Sequence, residues 1–189
     1  MFDRIDTQAS IDKTAYKERV AKLRAQLVAA QLKLRTSNQY GIVLIAGFEA
    51  SGKAEVMNQL GNWLDVRRVD FHALGRPSTE EREHPWWWRF WRRLPARGRL
   101  GVFLGGWLTE VVNDRVRDDM SRSVFERRLL QMRHFEQMLV DDGAVIVKLW
   151  LHLSKKQQKQ RLAELDDNRQ TTWRVTKEDW RRHKSYRQI

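Results

Sequence analysis

The chain has 189 residues, a formal net charge of +12 and 41% hydrophobic residues. This length and composition are typical of one globular domain with its own core, and they argue against a disordered chain. Cysteine is absent, which excludes a disulfide framework and thiol chemistry and leads us to expect a reducing cytoplasm. We expect no membrane segment, since no apolar stretch has spanning length and the first six residues lack the layout of a signal peptide.

The excess of positive charge predicts a polyanionic partner. Lys and Arg number 36 against 24 Asp and Glu, and such a surface field concentrates nucleic acid, inorganic polyphosphate or acidic lipid. Each basic run by itself is more typical of a solvated face than of a binding site. The densest runs lie at residues 89–99, 155–161 and 181–184.

The first predicted element is a helix over residues 13–35. Its apolar side chains recur in steps of three and four residues, at Val20, Leu23, Leu27, Ala30 and Leu34. Packing of this seam against the rest of the domain is the preferred interpretation. Contact with a second copy of the chain is the alternative, so a homodimer is one of the expected partners.

A glycine-rich loop follows the first predicted strand. The apolar run at residues 42–46 is typical of a buried parallel strand. It leads into the loop Gly47-Phe48-Glu49-Ala50-Ser51-Gly52-Lys53 and then into a helical pattern. Such loops present backbone N–H groups and a lysine ammonium to phosphate oxygens at a helix N-terminus. An ordinary glycine-rich turn is the alternative, but the combination favours phosphate binding by Gly47, Ala50, Ser51, Gly52 and Lys53.

The residue after the lysine bears on metal binding. Standard loops of this kind have Ser or Thr there, whose hydroxyl binds Mg²⁺, whereas this chain has Ala54. Any Mg²⁺ must then be held by a carboxylate, and Glu49 within the loop is the nearest candidate. We therefore predict a weakened Mg²⁺ site with Glu49 as its ligand.

Further strands and helices alternate along the rest of the chain. Strands are predicted at residues 69–74, 101–104 and 144–150, with a helix at residues 124–139 before the last of them. This alternation predicts an α/β fold with a central parallel sheet and helices on both faces. The site is expected at the carboxyl ends of the strands.

Residues 86–93 combine aromatic and basic side chains. Such interleaving can stack on bases or line a polyanion channel, while closely spaced aromatics are more typical of a core or an interface. At helical spacing Trp87 and Trp91 share one face, and Arg89 and Arg93 share another. We predict that Trp87 or Trp91 packs against the body and that Arg89, together with Arg93, faces the phosphate cleft.

Four blocks of the sequence resemble the polyphosphate kinase type 2 family. They are the glycine loop and residues 76–90, 148–161 and 173–179, in the family's order and over nearly the whole chain. The resemblance is strongest to the N-terminal half of two-module members, the polyphosphate:AMP phosphotransferases. It implies a P-loop kinase-like three-layer sandwich with a helical lid. The expected parts of this domain, 1–189, are an N-terminal helix (11–36), a core (40–165) and a lid with a C-terminal helix (166–189).

The resemblance also implies an activity. Family members transfer phosphoryl groups between inorganic polyphosphate and a nucleotide, which here is AMP or ADP. By resemblance, Lys53 cradles the transferred phosphate and Arg89 contacts phosphate near the loop. Arg174 closes over the site with the lid, and Glu49 is the expected metal ligand. These roles suit phosphoryl transfer, because cations and loop amides stabilise the charge on the equatorial oxygens.

Two departures from the family pattern bear on catalysis. The family's loop has Asp at the position of Glu49, and its Asp-Arg-Ser-Trp-Tyr after the third strand is replaced here by Leu104-Gly105-Gly106-Trp107-Leu108. In the family, this Asp binds the metal or supports its ligand, and this Arg contacts the phosphate. Two alternatives follow: an active phosphotransferase module helped by a second carboxylate such as Asp114, and a weak pseudo-module that binds polyphosphate or dimerises.

The family continues beyond residue 186 with a further helix and strand. The chain is therefore expected to be a fragment of a longer protein or a module completed by a C-terminal module. Nucleic-acid binding is a third alternative, which the charge and the tryptophans permit but no recognisable motif supports.

Overall fold

Four parallel strands organise the structure, a computed structural model that describes residues 9–116 and 120–188. The expectation about the first six residues lies outside these ranges. The strands pair in the order β2-β3-β1-β4. They are β1 (Tyr40–Gly47), β2 (Val69–Ala73), β3 (Leu100–Leu104) and β4 (Ala144–Leu151).

Helices surround this sheet and separate its strands in sequence. They are α1 (Lys13–Thr36), α2 (Lys53–Trp63), α3 (Thr79–Glu83), α4 (Trp88–Trp91), α5 (Trp107–Val116), α6 (Arg122–Asp141), α7 (Lys155–Asp167) and α8 (Lys177–Lys184). The predicted strands and helices are confirmed, because their ends agree with the observed bounds to within two residues. Among the described helices, none combines the length and the apolar character needed to cross a membrane.

Alternate side chains of β1 enter two separate cores. Ile42 and Leu44 pack beneath α5 and α6, in a cluster that includes Phe135. Ile45 packs on the opposite face, where side chains of α1 and α2 complete the cluster. Because successive residues of a strand point to opposite faces, this pattern places the sheet between two helical layers. The predicted three-layer architecture is confirmed.

The predicted apolar seam of α1 is divided between the core and the surface. Leu27 packs against the cluster around Ile45, whereas Leu23 is 53% exposed. Packing of α1 on the body is therefore confirmed for part of the seam, and contact with a second copy stays a prediction.

The register of the strands brings their carboxyl ends together at one edge of the sheet. Gly47 pairs with Leu151, and Ala73 pairs with Leu104. Gly47 has a φ of +130°, and a Cβ at this position would lie 2.1 Å from the carbonyl oxygen of Leu151. Only glycine allows β1 to turn away here, so the close pairing of β1 with β4 fixes where the next loop begins.

Candidate phosphate-binding site

The glycine loop, residues 47–53, lies between the carboxyl end of β1 and the N-terminus of α2. Helix α2 begins at Lys53, and its N-cap Gly52 has a left-handed φ of 91° and supplies no capping side chain. Ala50 also has a positive φ, of 59°. The predicted position of Lys53 at a helix N-terminus is confirmed. This arrangement turns backbone N–H groups and the positive end of the helix dipole toward the same space.

That space is an open cleft of about 650 Å³ at the carboxyl edge of the sheet. Four of the five predicted phosphate-binding loop residues line it, namely Ala50, Ser51, Gly52 and Lys53. Gly47 lies at the base of the loop, where its carbonyl oxygen accepts a 2.8 Å hydrogen bond from Lys53 Nζ. The structure therefore brings the predicted loop residues to one site.

Cationic and carboxylate side chains line the cleft in equal numbers among the described residues. The cations are Lys53, Arg76, Arg174 and Arg182, and the carboxylates are Glu49, Glu55, Glu110 and Asp114. Each of these cations has a carboxylate partner: Lys53 and Arg182 pair with Glu49, Arg76 with Glu178, and Arg174 with Glu55. The net charge of +12 is thus not concentrated in the cleft.

Glu49 lies between two cations. Its Oε2 is 3.1 Å from Lys53 Nζ, and its Oε1 accepts a hydrogen bond from Arg182 Nη1 of α8. Burial alone would raise the pKa of the Glu49 carboxyl, but the charges and hydrogen bonds of Lys53 and Arg182 lower it below its usual value. Glu49 is therefore ionised at neutral pH.

This arrangement does not fit a Mg²⁺ ion held by the protein. Both carboxylate oxygens of Glu49 already contact cations, and Ala54 offers no hydroxyl. In the ranges that the structure describes, no group of three or more His, Cys, Asp or Glu side chains is placed to hold a metal ion. The role of Glu49 as a metal ligand stays a prediction.

Arg89 is placed differently from the expectation that it faces the cleft. It is 3% exposed and lies behind the cleft wall, where Glu81 and Glu110 bind its guanidinium and Nη2 donates to the carbonyl oxygen of Gly75. Arg93 bonds Glu81 at 2.9 Å, and neither arginine is among the described residues lining the cleft. A buried guanidinium requires such partners, so phosphate contact by Arg89 or Arg93 stays a prediction that demands their release.

The tryptophan segment divides between core and surface. Trp87 stacks on Phe135 of α6 with ring centroids 4.6 Å apart, which confirms the prediction that it packs against the body. Trp91 is 53% exposed. Trp86 lines the cleft and carries the guanidinium of Arg128 4.5 Å from its ring centroid.

The turn after β3 explains part of the departure from the family pattern. Gly105 has a φ of +76°, and a Cβ there would lie 2.4 Å from the carbonyl oxygen of Leu74. An arginine at this position would be strained in the present backbone. Trp107, which matches the family, is fully buried and donates from Nε1 to Glu136 at 3.0 Å. Its role here is structural.

The segment predicted as a lid lies at the mouth of the cleft. Arg174 ends a 3₁₀ turn, Thr172–Arg174, and pairs with Glu55 of α2. Helix α8 follows and contributes Arg182, which sequence reasoning did not select. The basic run at residues 181–184 was its only sequence signal, and nothing local pairs it with Glu49, 133 positions away.

Glu110 is a second residue that the sequence did not reveal. Burial, with smaller contributions from the charges of Asp114 and Glu81, raises the pKa of Glu110 to about 7, although the charge and hydrogen bond of Arg89 oppose the shift. Glu110 is one of the residues that line the cleft. Near neutral pH, Glu110 is therefore poised between its neutral and ionised forms.

Glu110→Gln should change how stability depends on pH. A raised folded-state pKa means that the folded protein keeps a proton the unfolded chain releases, so Glu110 makes the free energy of unfolding fall as pH rises from 4.5 to about 7. The slope for one proton is at most about 1.4 kcal/mol per pH unit. In urea unfolding between pH 4.5 and about 7, the free energy of unfolding should fall more steeply, or rise less steeply, with pH in the parent than in Glu110→Gln.

The exposed Glu126→Gln on α6 is the matched control and should keep the parent slope. Depressed histidine pKa values are common to all three proteins and cancel in the comparison. Equal slopes in Glu110→Gln and the parent would contradict the raised pKa.

Comparison with known proteins identifies relatives of this chain. Residues 10–189 match the family described as Polyphosphate kinase 2 (PPK2). The chain is 39% identical over 187 residues to the polyphosphate:AMP phosphotransferase of Pseudomonas aeruginosa, covering 98% of this chain and 38% of that protein. It is 31% identical over 175 residues to the AMP/ADP-polyphosphate phosphotransferase of Meiothermus ruber, covering 92% of this chain and 66% of that protein.

A solved structure has the same architecture. The crystal structure of Polyphosphate Kinase 2 from Arthrobacter aurescens matches with a TM-score of 0.92 at 25% identity, over 100% of this chain and 70% of that chain. Because this chain spans only 38% of the Pseudomonas aeruginosa relative, its length fits a module of such a protein. By a match over nearly its whole length, the chain belongs to the polyphosphate kinase 2 family.

Proposed function

We propose that this chain is a polyphosphate kinase 2 module that binds inorganic polyphosphate and acts with AMP or ADP, and that alone it transfers phosphoryl groups slowly. The observation that carries the proposal is the position of Lys53, at the N-terminus of α2 in a cleft at the carboxyl edge of a parallel sheet. The names of the relatives from Pseudomonas aeruginosa and Meiothermus ruber support the choice of substrates.

The binding half of the proposal rests on anion recognition by the loop. Helix α2 has 11 residues, and its N-terminus faces the cleft without a capping side chain. The partial positive charge there and the ammonium of Lys53 converge on the space that a phosphate group would fill. Arg174 and Arg182 also line the cleft and can add guanidinium donors.

The residues around the glycine loop disfavour rapid phosphoryl transfer. Phosphoryl transfer needs cations that neutralise the developing charge, yet the cations lining the described cleft are paired with carboxylates. Leu104, Gly105 and Gly106 supply neither a carboxylate nor a guanidinium. Losing one transition-state charge contact commonly costs on the order of 10²–10³ in rate. We therefore favour binding with slow turnover over full activity.

Completion by a partner is part of the same proposal. A homodimer or a C-terminal module of a longer protein would supply the groups that this cleft lacks. The chain spans 38% of the Pseudomonas aeruginosa relative, which supports completion by a C-terminal module. A cytoplasmic location and participation of Mg²⁺ remain predictions from the sequence.

Lys53→Ala should weaken binding of tripolyphosphate roughly ten- to a hundredfold, since a hydrogen bond to a charged group contributes about 1.5–3 kcal/mol. Isothermal titration calorimetry at fixed salt measures the affinity. Lys33→Ala is the matched control, because it removes the same charge from an exposed site at the end of α1, away from the cleft. Equal losses in both variants would indicate non-specific attraction and contradict a site at the loop.

Turnover by the isolated chain should be slow with Mg²⁺ and without it. Production of ADP or ATP from polyphosphate and AMP or ADP is followed by a coupled assay, in parallel with the calorimetric titration. We expect binding with little product. Rapid Mg²⁺-dependent turnover would contradict the slow-transfer half and would make Glu49 a sufficient metal ligand.

A further inference from the structure

Helix α8 is linked to Glu49 of the glycine loop directly by Arg182 and indirectly by His183. Arg182 donates to the Glu49 carboxylate. The neighbouring His183 places Nδ1 2.8 Å from Gln158 Oε1, and Gln158 Nε2 donates to the backbone carbonyl of Glu49 at 3.3 Å. Because Oε1 accepts, the proton of the His183 ring lies on Nδ1. One loop residue thus holds α8 by its side chain and by its main chain.

These contacts are shielded from solvent. Gln158 is 1% exposed and His183 is 8% exposed. The side chains of the ion pairs are also largely buried, with 20% of Glu49, 14% of Lys53 and 19% of Arg182 exposed. Ion pairs in such surroundings are screened far less by water and salt than surface pairs are. Solvent and salt therefore weaken these contacts little.

The same carboxylate also satisfies the lysine of the loop. Lys53 Nζ lies 3.1 Å from Glu49 Oε2 and donates to Gly47 O at 2.8 Å. A negatively charged group therefore lies between the loop lysine and an arginine of α8. Two oxygens of a phosphate group would make the same contacts, since ammonium and guanidinium bind carboxylate and phosphate alike.

We propose that Glu49 is an internal substitute for phosphate, which keeps α8 docked on the glycine loop and which a bound phosphate chain must displace. The inference rests on the proposed function and adds its regulation. Binding exchanges Glu49 for phosphate oxygens at Lys53 and Arg182, and it frees the Glu49 carboxylate from both cations. The affinity for a phosphate chain is lower than these two cations alone would give, because the internal anion competes with it.

Glu49→Gln tests this competition, because it keeps the shape of the side chain and removes the charge. Calorimetry with tripolyphosphate in EDTA excludes any contribution of Glu49 as a metal ligand. We expect binding roughly tenfold tighter than in the parent, the equivalent of one charge-assisted contact that phosphate no longer has to break. Unchanged or weaker binding would overturn the proposal.

Glu55→Gln is the matched control. Glu55 also lines the cleft and also pairs with a lid-segment arginine, Arg174, but its side chain is 57% exposed and this ion pair does not involve Lys53. Its replacement removes the same charge from the cleft and should change the affinity much less. If Glu49→Gln and Glu55→Gln raised the affinity for tripolyphosphate equally, the cause would be the overall charge of the cleft. That result would overturn the specific role of Glu49.

A second measurement tests, without any ligand, whether Glu49 holds α8 on the loop. Hydrogen–deuterium exchange over α8, Lys177–Lys184, should be faster in Glu49→Gln than in the parent and in Glu55→Gln, because the side-chain half of the contact is weakened. Equal exchange in the three proteins would overturn the docking role. If no variant bound tripolyphosphate, the proposed function would fail, while the exchange rates would still decide whether Glu49 holds α8.

Discussion

The Glu49 carboxylate connects the parts of this structure that surround the cleft. It bonds Lys53 of the glycine loop and Arg182 of α8, and its backbone carbonyl accepts from Gln158 of α7. The loop can make these contacts because β1 ends beside β4 at Gly47, where no Cβ fits. Sheet pairing thus places the loop, the loop places Glu49, and Glu49 holds the helix that borders the cleft.

This arrangement changes what the net charge of +12 means for binding. The cleft itself is lined by equal numbers of cationic and carboxylate side chains among its described residues, so most of the positive excess lies on other surfaces. A long-range field still attracts a polyanion to the molecule. Binding at the loop, however, is decided locally, by whether phosphate oxygens compete successfully with the Glu49 carboxylate for Lys53 and Arg182.

The sequence predicted what depends on local pattern. The buried run before Gly47, the glycine loop and the position of Lys53 follow from residues adjacent in the chain, and each is confirmed. The direction of Arg89 could not be obtained in this way, because it is set by Glu81 and Glu110 on two other helices. The pairing of Arg182 with Glu49 spans 133 positions, and no periodicity or motif records it. Contacts of that kind appear only when the chain is folded.

A crystal structure of the chain with tripolyphosphate, grown without Mg²⁺, tests the central claim most directly. The account predicts phosphate oxygens on Lys53 Nζ and on the backbone N–H groups at the start of α2, with Arg182 bonded to phosphate and Glu49 turned away from both cations. Tripolyphosphate bound elsewhere, for example on the basic run at residues 155–161, with Glu49 still between Lys53 and Arg182, would contradict it.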